Sequence, residues 1–201
     1  MNRQDQKSWV EWITFFQEEV PKHVTETRWE HIQRVAMYAE DLAIQHSYPE
    51  PKKAFLAGLC HDITKQKKAD IHHELFSSYG LNTDGIPFQA LHAYSAPLFI
   101  EKNYGLYDKE IASAIQNHTL GNPNPSLLDQ ILYAADFLGS DYCQRQTELS
   151  DWIQKTLENL HFGIFMKAFQ TISFLMEKKE VIHPHTFLTY NGALKSLKEN
   201  R

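Results

Sequence analysis

The stretch LAGLCHDITKQ (residues 56–66) begins as an apolar helical segment and then places a histidine beside an aspartate. Burying an imidazole or a carboxylate without a polar partner costs free energy. His61 and Asp62 therefore need a partner that the apolar residues before them do not supply. The rest of the chain has to provide it.

The composition is that of an ordinary globular protein. Of the 201 residues, 42% are hydrophobic and 22% are charged, which is enough for one well-cored domain. The formal net charge of -5 argues against a nucleic-acid backbone as partner, because such binding normally shows a basic surplus. It leaves room for a small phosphorylated ligand that a few lysines can serve.

Two features indicate a cytoplasmic protein without membrane association. The start, MNRQDQKSWVEW, lacks the apolar core of a signal peptide, and no apolar run reaches membrane-spanning length. The two cysteines, Cys60 and Cys143, lie far apart and lack CxxC spacing. We therefore expect neither a disulfide framework nor a thiolate metal site.

Nearly every segment has helical periodicity. Apolar stripes, caps and helix terminators predict helices near residues 8–20, 28–46, 51–61, 69–80, 92–104, 108–118 and 126–139. The remainder of the chain predicts two or three more, including residues 164–179 and 185–198. Ser126 and Asp129 have the spacing of a capping box. No segment shows the alternation of a β-strand. We predict an all-α fold, a single-domain helical bundle over residues 1–201.

Polar residues interrupt the apolar faces or ends of these helices at six positions: His31, His61, Asp62, His92, His118 and Asp136. A single buried histidine or aspartate is commonly satisfied by a backbone group. Four histidines and two aspartates on five helical segments would each need a separate partner. A shared divalent metal centre satisfies all of them, since imidazole nitrogens and carboxylate oxygens are ligands of transition metals.

The adjacency of His61 and Asp62 suggests how two ions would share this centre. At a helix end both side chains can reach one ion, and Asp62 can bridge to a second. Two-metal sites hold their ions ~3.5–4 Å apart, and a hydroxide bridging them serves as nucleophile toward phosphorus. Lys65, one turn further on, is a candidate for a phosphate contact, although its spacing fits a solvated lysine equally well.

Five elements in order, RWEHIQRVA, LCHDITK, LHAYSA, NHTLG and ILYAADFL, resemble the HD-domain metal-dependent phosphohydrolases. Within them, the chain is similar to the bacterial symmetrical bis(5'-nucleosyl)-tetraphosphatases, which cleave diadenosine tetraphosphate into two ADP. The resemblance covers about residues 26–140 and continues in VIHPHTFLTYNGAL (residues 181–194). It implies an HD-type bundle with this metal-site core, on which the N-terminal helix and the C-terminal helices pack.

The resemblance also implies roles for individual residues. The first metal would be held by His31, His61, Asp62 and Asp136, and the second by His92 and His118 with Asp62 bridging. Iron is the usual metal of this branch, and a His/Asp set also admits manganese, cobalt or zinc. Asp62 and Lys65 would carry the catalysis, and Lys65, Arg28, Thr119 and Gly121 would lie at the substrate.

One departure keeps the substrate open. After the last aspartate the branch continues with an acidic-Pro-x-Arg segment, whereas this chain reads FLGSDYCQRQ and places Tyr142 at the arginine. Such a chain has lost one contact to the polyphosphate, unless Arg145 replaces that arginine from a shifted position. The alternatives to tetraphosphate cleavage are an HD phosphohydrolase acting on another nucleotide or phosphate ester, and a metal-retaining nucleotide-binding protein with little turnover.

Other features remain undecided or ordinary. His72 and His73 are adjacent and point to different helix faces, so we predict both at the surface. The aromatic residues at helical spacing are most simply core, and the sequence does not select one that stacks on a base. It also leaves the oligomeric state open, a homodimer included.

Overall fold

The computed structural model describes residues 7–199, and within them the chain is α-helical without β-strands, as predicted. The first and last residues of the predicted domain, 1–6 and 200–201, lie outside the described residues. Eleven α-helices follow in this range: α1 (Trp9–Glu19), α2 (Glu26–Gln45), α3 (Pro51–Cys60), α4 (Ala69–Ser78), α5 (Leu91–Tyr104), α6 (Lys109–Asn117), α7 (Leu127–Gly139), α8 (Asp141–Gln144), α9 (Leu149–Glu158), α10 (Leu160–Lys178) and α11 (Pro184–Glu199). Short 3₁₀ helices lie at Val20–Lys22 and Phe88–Ala90.

Local capping chemistry sets several helix ends. Ser8 caps α1 in a capping box with Glu11, and Ser126 caps α7 in the predicted capping box with Asp129. The Thr25 hydroxyl accepts a hydrogen bond from the Arg28 amide at the start of α2. With this cap, α2 begins five residues before His31.

The centre of the fold is the contact of α2 with α3 and α7. Gly58 on α3 has no side chain, and a Cβ there would lie 2.7 Å from the Cα of Ala36 on α2. Gly139 lies against Val35 in the same way. These close approaches bring the middle of α2 next to the ends of α3 and α7, where His31, His61 and Asp136 are placed.

The remaining helices surround this centre. α1 packs on α3, α5 and α6 pack on each other, and α6 also contacts α7. α10 lies against α7 and α11, so the C-terminal part of the chain covers the helix that carries Asp136. In the described part of the chain, no helix combines the length and apolar character that crossing a membrane requires.

The surface prediction was wrong for His72. It is 4% exposed, because α4 packs against α5, and its Nδ1 lies 2.7 Å from the Ser95 hydroxyl. Ser95 and Thr64 form a further hydrogen bond with each other, and the Thr64 hydroxyl donates to the carbonyl of His92. His73, one residue on, is exposed as predicted.

Candidate metal centre

The structure brings the six predicted ligand side chains together from five parts of the fold. His31 lies within α2, His61 caps the end of α3 with Asp62 after it, His92 is in the first turn of α5, His118 caps α6, and Asp136 is on α7. All are buried except Asp136, whose side chain is 19% exposed.

The first half of the centre groups two imidazoles with two carboxylates. The Nε2 atoms of His31 and His61 lie 3.2 Å apart. Asp136 Oδ1 is 3.2 Å from the His31 Nε2 and 3.5 Å from the His61 Nε2. Asp62 Oδ2 lies 3.8 Å and 3.5 Å from the same two nitrogens.

The second half uses the other oxygen of Asp62. His92 Nε2 and His118 Nε2 lie 3.2 Å apart, and Asp62 Oδ1 is 3.2 Å from the first and 3.6 Å from the second. Asp62 therefore stands between two groups of donors and offers one oxygen to each. This is the arrangement that the sequence predicts for a bridging carboxylate.

Backbone carbonyls hold the outer nitrogen of three rings. His31 Nδ1 lies 3.1 Å from the carbonyl of Gly139, His61 Nδ1 lies 2.6 Å from that of Gly58, and His118 Nδ1 lies 2.6 Å from that of Ile115. A carbonyl only accepts, so each Nδ1 carries a proton, and in the neutral form of each ring the Nε2 presents a lone pair inward.

The electrostatics favour charged carboxylates and neutral histidines in the second half. Burial alone would raise the pKa of Asp62, but the neighbouring imidazoles, His61 first and then His118 and His92, hold that pKa well below its usual range. Burial lowers the pKa of His92, and it lowers the pKa of His118 to about 3. Neutral imidazoles beside an ionised carboxylate are the protonation states in which metal ligands bind.

The pKa of His61 shifts in the opposite direction. Burial would lower it, but the carboxylates of Asp62 and Asp136 raise it above the usual value. The same negative charge that attracts a proton to this ring attracts a cation to the first half of the centre.

These donors fit divalent metal ions. Asp62 Oδ1 is buried without a hydrogen-bond partner, which is costly unless a cation satisfies it. Each pair of Nε2 atoms at 3.2 Å has about the separation of two ligands on one ion, with metal–nitrogen bonds of about 2.0–2.1 Å. Three of the residues in each half have donor atoms within 4.8 Å of one another: His31, His61 and Asp62, and Asp62, His92 and His118.

The predicted substrate residues surround this centre. The Arg28 guanidinium donates to Asp62 Oδ2 at 3.1 Å, and Lys65 Nζ lies 3.2 Å from the His92 Nε2. The Thr119 hydroxyl is 3.0 Å from the His118 Nε2 and 3.2 Å from the His92 Nε2. Two cations and a hydroxyl thus lie within hydrogen-bond reach of the ligand atoms.

The local structure requires a glycine at position 121. Its φ of +81° lies in the left-handed region, and a Cβ at this position would collide with the side chain of Thr189 on α11. The glycine lets the turn after His118 approach the C-terminal helix closely. A substrate contact through Gly121 remains a prediction.

The segment after Asp136 is held by protein contacts. Arg34 donates to the carbonyl of Gly139 and to Asp141 Oδ1, while Arg145 Nε donates to the Asp141 carbonyl within its own turn. Tyr142 stacks on Trp152, with ring centroids 6.3 Å apart. In this arrangement Arg145 makes no hydrogen bond or ion pair with the six ligand side chains.

Sequence reasoning missed one cation at the centre. Lys167 on α10 donates from Nζ to Asp136 Oδ2 at 2.6 Å and to the carbonyl of His118 at 2.5 Å. A single lysine in the amphipathic stretch IFMKAFQ is typical of a solvated helix face. Only the packing of α10 on α7 turns it inward.

Comparison with known proteins agrees with this geometry. The HD domain family model matches residues 28–140, which contain all six ligand candidates. The chain is 32% identical over 178 residues to "Bis(5'-nucleosyl)-tetraphosphatase, symmetrical" of Halalkalibacterium halodurans, covering 87% of this chain and 93% of the relative. It is 30% identical over 178 residues to the protein of the same description from Bacillus subtilis, covering 86% and 92%.

A solved structure shows the same fold. A Clostridium acetobutylicum protein described as a predicted HD superfamily hydrolase involved in NAD metabolism superposes with a TM-score of 0.81 at 24% identity, covering 92% of this chain and 97% of that one. The family match and the relatives together show that the chain belongs to the HD domain family, and it is a phosphohydrolase of that family.

Proposed function

We propose that this protein hydrolyses diadenosine tetraphosphate symmetrically to two ADP, with two divalent ions, iron first among them, at the candidate centre. The observation that carries the proposal is Asp62, which offers one oxygen to each of two histidine pairs. The relatives that match over most of their length and are described as symmetrical bis(5'-nucleosyl)-tetraphosphatases support the substrate.

In this proposal the six side chains hold the ions, and the surrounding residues manage the phosphate charge. When bound, the ions supply Lewis-acid activation of phosphate oxygens and of the attacking water. Lys65 lies on the His92 side of the centre and Arg28 on the Asp62 side, so their positive charges would flank a phosphoryl group bound at the centre. Cations fixed where negative charge develops lower the barrier to phosphoryl transfer.

A second candidate is an HD phosphohydrolase acting on another nucleotide. Tyr142 occupies the position where an arginine is expected, and Arg145 is hydrogen-bonded to the Asp141 carbonyl. A polyphosphate would therefore have one cation fewer at this end of the site. A shorter phosphate chain needs fewer such contacts.

The test is a product analysis with a matched variant. Purified protein of assayed metal content is incubated with diadenosine tetraphosphate, and the products are separated by chromatography, alongside Asp62→Ala and the exposed control Asp151→Ala. We expect ADP as the only nucleotide product, lost in Asp62→Ala and retained in Asp151→Ala. AMP and ATP as products, or equal activity in Asp62→Ala, would contradict the proposal. No turnover with two bound ions would leave the second candidate.

A further inference from the structure

We propose that Lys167 is a positioning residue of the metal centre, which holds the outer oxygen of Asp136 so that the inner oxygen faces His31 and His61. Lys167 lies on α10, outside the residues 28–140 that the family model matches. The inference rests on the proposed metal centre and concerns a part of the chain that the HD match does not include.

The two carboxylate oxygens of Asp136 have different partners. Oδ1 is 3.2 Å from the His31 Nε2 and 3.5 Å from the His61 Nε2, whereas Oδ2 accepts from Lys167 Nζ at 2.6 Å. A carboxylate held at one oxygen by a charged donor presents the other in a fixed direction. Hydrogen bonds between ionised groups are short and stronger than neutral ones.

The other contacts of Lys167 show that it is engaged with the protein. An ammonium group has three N–H donors. Nζ donates a second hydrogen bond to the carbonyl of His118 at 2.5 Å and lies 4.1 Å from the centroid of the Tyr133 ring. The side chain is 12% exposed. These contacts hold the ammonium against the Asp136 carboxylate, the His118 carbonyl and the Tyr133 ring.

The same ammonium joins the two halves of the centre. Asp136 belongs to the first half and His118 to the second, and Lys167 donates to both residues. Residues that orient metal ligands in this way typically change metal affinity by about 10–100-fold when they are replaced. We therefore expect Lys167 to act chiefly on the affinity of the ion that Asp136 contacts.

The chain offers a matched control on α9. Lys155 also pairs with an aspartate, Asp151, at 2.7 Å, and it also lies over an aromatic ring, that of Phe162, at 5.6 Å. Both side chains of this pair are about half exposed. Lys155→Met therefore removes a lysine–aspartate–aromatic arrangement of the same kind from the surface.

The experiment is a Mn²⁺ titration of the metal-free full chain by electron paramagnetic resonance, without substrate. We expect Lys167→Met to weaken one of two Mn²⁺ sites by about 10–100-fold and to leave the other within about threefold of wild type. Lys155→Met should match wild type at both sites. Unchanged Mn²⁺ affinity in Lys167→Met would overturn the inference. Tighter Mn²⁺ binding would also overturn it, because it would show that the positive charge of Lys167 repels the ion.

A milder variant guards against a folding defect. Circular dichroism of the metal-free proteins shows whether Lys167→Met is folded, and Lys167→Gln keeps an amide donor without the charge. We expect Lys167→Gln to weaken the same site by an intermediate factor, and wild-type affinity there would overturn the inference. The titration contains no nucleotide, so its result does not depend on the substrate. If the variants show this pattern but the protein does not cleave diadenosine tetraphosphate, the proposed substrate is wrong and the positioning role of Lys167 stands.

Discussion

The ring nitrogens show how single residues prepare this centre. His31, His61 and His118 each direct Nδ1 to a backbone carbonyl, and those carbonyls belong to Gly139, Gly58 and Ile115. Two of the three acceptors are thus glycines at the close contacts of α2 with α3 and α7. The backbone that allows the helices to approach also selects the ring tautomer.

At the same scale, we expect Lys65 to contribute to the rate of the reaction and not to metal binding. Its Nζ lies beside the His92 ring, and a protonated ammonium group has no lone pair with which to bind a metal ion. We expect Lys65→Met to lower kcat by about 10²–10³-fold, the usual effect of losing one donor that stabilises a transition state. Metal content, measured by mass spectrometry, should stay at the wild-type value.

The exposed Lys68 is the control for this prediction. Lys68→Met removes the same charge three residues further on and should leave both kcat and metal content unchanged. Loss of metal in Lys65→Met would show that the lysine supports the ligands, and would count against a role at the phosphate.

His72 makes a prediction about pH. Burial lowers its pKa below the usual value for a histidine, with the neighbouring His92 acting in the same direction. The unfolded chain therefore takes up a proton near pH 6.5, while the folded chain stays neutral to lower pH. The contribution to stability is complete above about pH 6.5 and is lost as pH falls toward the folded pKa, at a slope of at most about 1.4 kcal/mol per pH unit.

The measurement compares His72→Gln with His73→Gln by urea unfolding between pH 7.5 and 5. Glutamine can keep a hydrogen bond to Ser95 but does not titrate. We expect a shallower loss of stability on acidification in His72→Gln and the wild-type slope in His73→Gln, because His73 is exposed. Equal slopes in all three proteins would contradict the assignment.

At the scale of elements, the contact of α2 with α3 depends on Gly58. A Cβ there would lie 2.7 Å from the Cα and 3.0 Å from the backbone N of Ala36, so a helix has to move. Alanine gains about 1 kcal/mol of helix propensity over glycine, but forced overpacking typically costs about 1–3 kcal/mol. We expect Gly58→Ala to lower the free energy of unfolding and metal affinity together, since the Gly58 carbonyl holds His61.

Gly192 provides the opposite case for the same substitution. It lies on α11, is exposed, and a Cβ there would meet no atom within 4 Å. Gly192→Ala should raise the free energy of unfolding by up to about 1 kcal/mol and leave metal affinity unchanged. Urea unfolding of both variants measures the difference. A stabilised Gly58→Ala would show that the helices can separate at little cost.

At the scale of the whole molecule, apolar periodicity and the polar residues that interrupt it were enough to predict the helices and to select the ligand candidates. The helical segments follow from apolar stripes and caps, and the ligand candidates from polar residues on those stripes. The burial of Lys167 and His72 was not predicted, because it depends on which helices pack together: α10 on α7, and α4 on α5. A side chain on a polar helix face looks solvated until its tertiary neighbour is known.

The same long-range assembly predicts how metal removal acts on the entire fold. The six ligand side chains come from five parts of the chain, so bound ions favour the folded state over the unfolded one. A ligand at a hundred times its Kd adds about 2.7 kcal/mol, and 1 kcal/mol shifts Tm by about 2–4 °C in a domain of this size. Chelation should therefore lower Tm by about 5–11 °C for each ion saturated to that degree.

Calorimetry with and without chelator tests this in three proteins. Wild type and the surface control Asp151→Ala should show the full decrease, because Asp151 is exposed and lies on α9. Asp62→Ala should show little or none, since each half of the centre loses the Asp62 oxygen that faces it. A full decrease in Asp62→Ala would mean that the stabilising metal binds elsewhere, and the bridging role of Asp62 would fall with it.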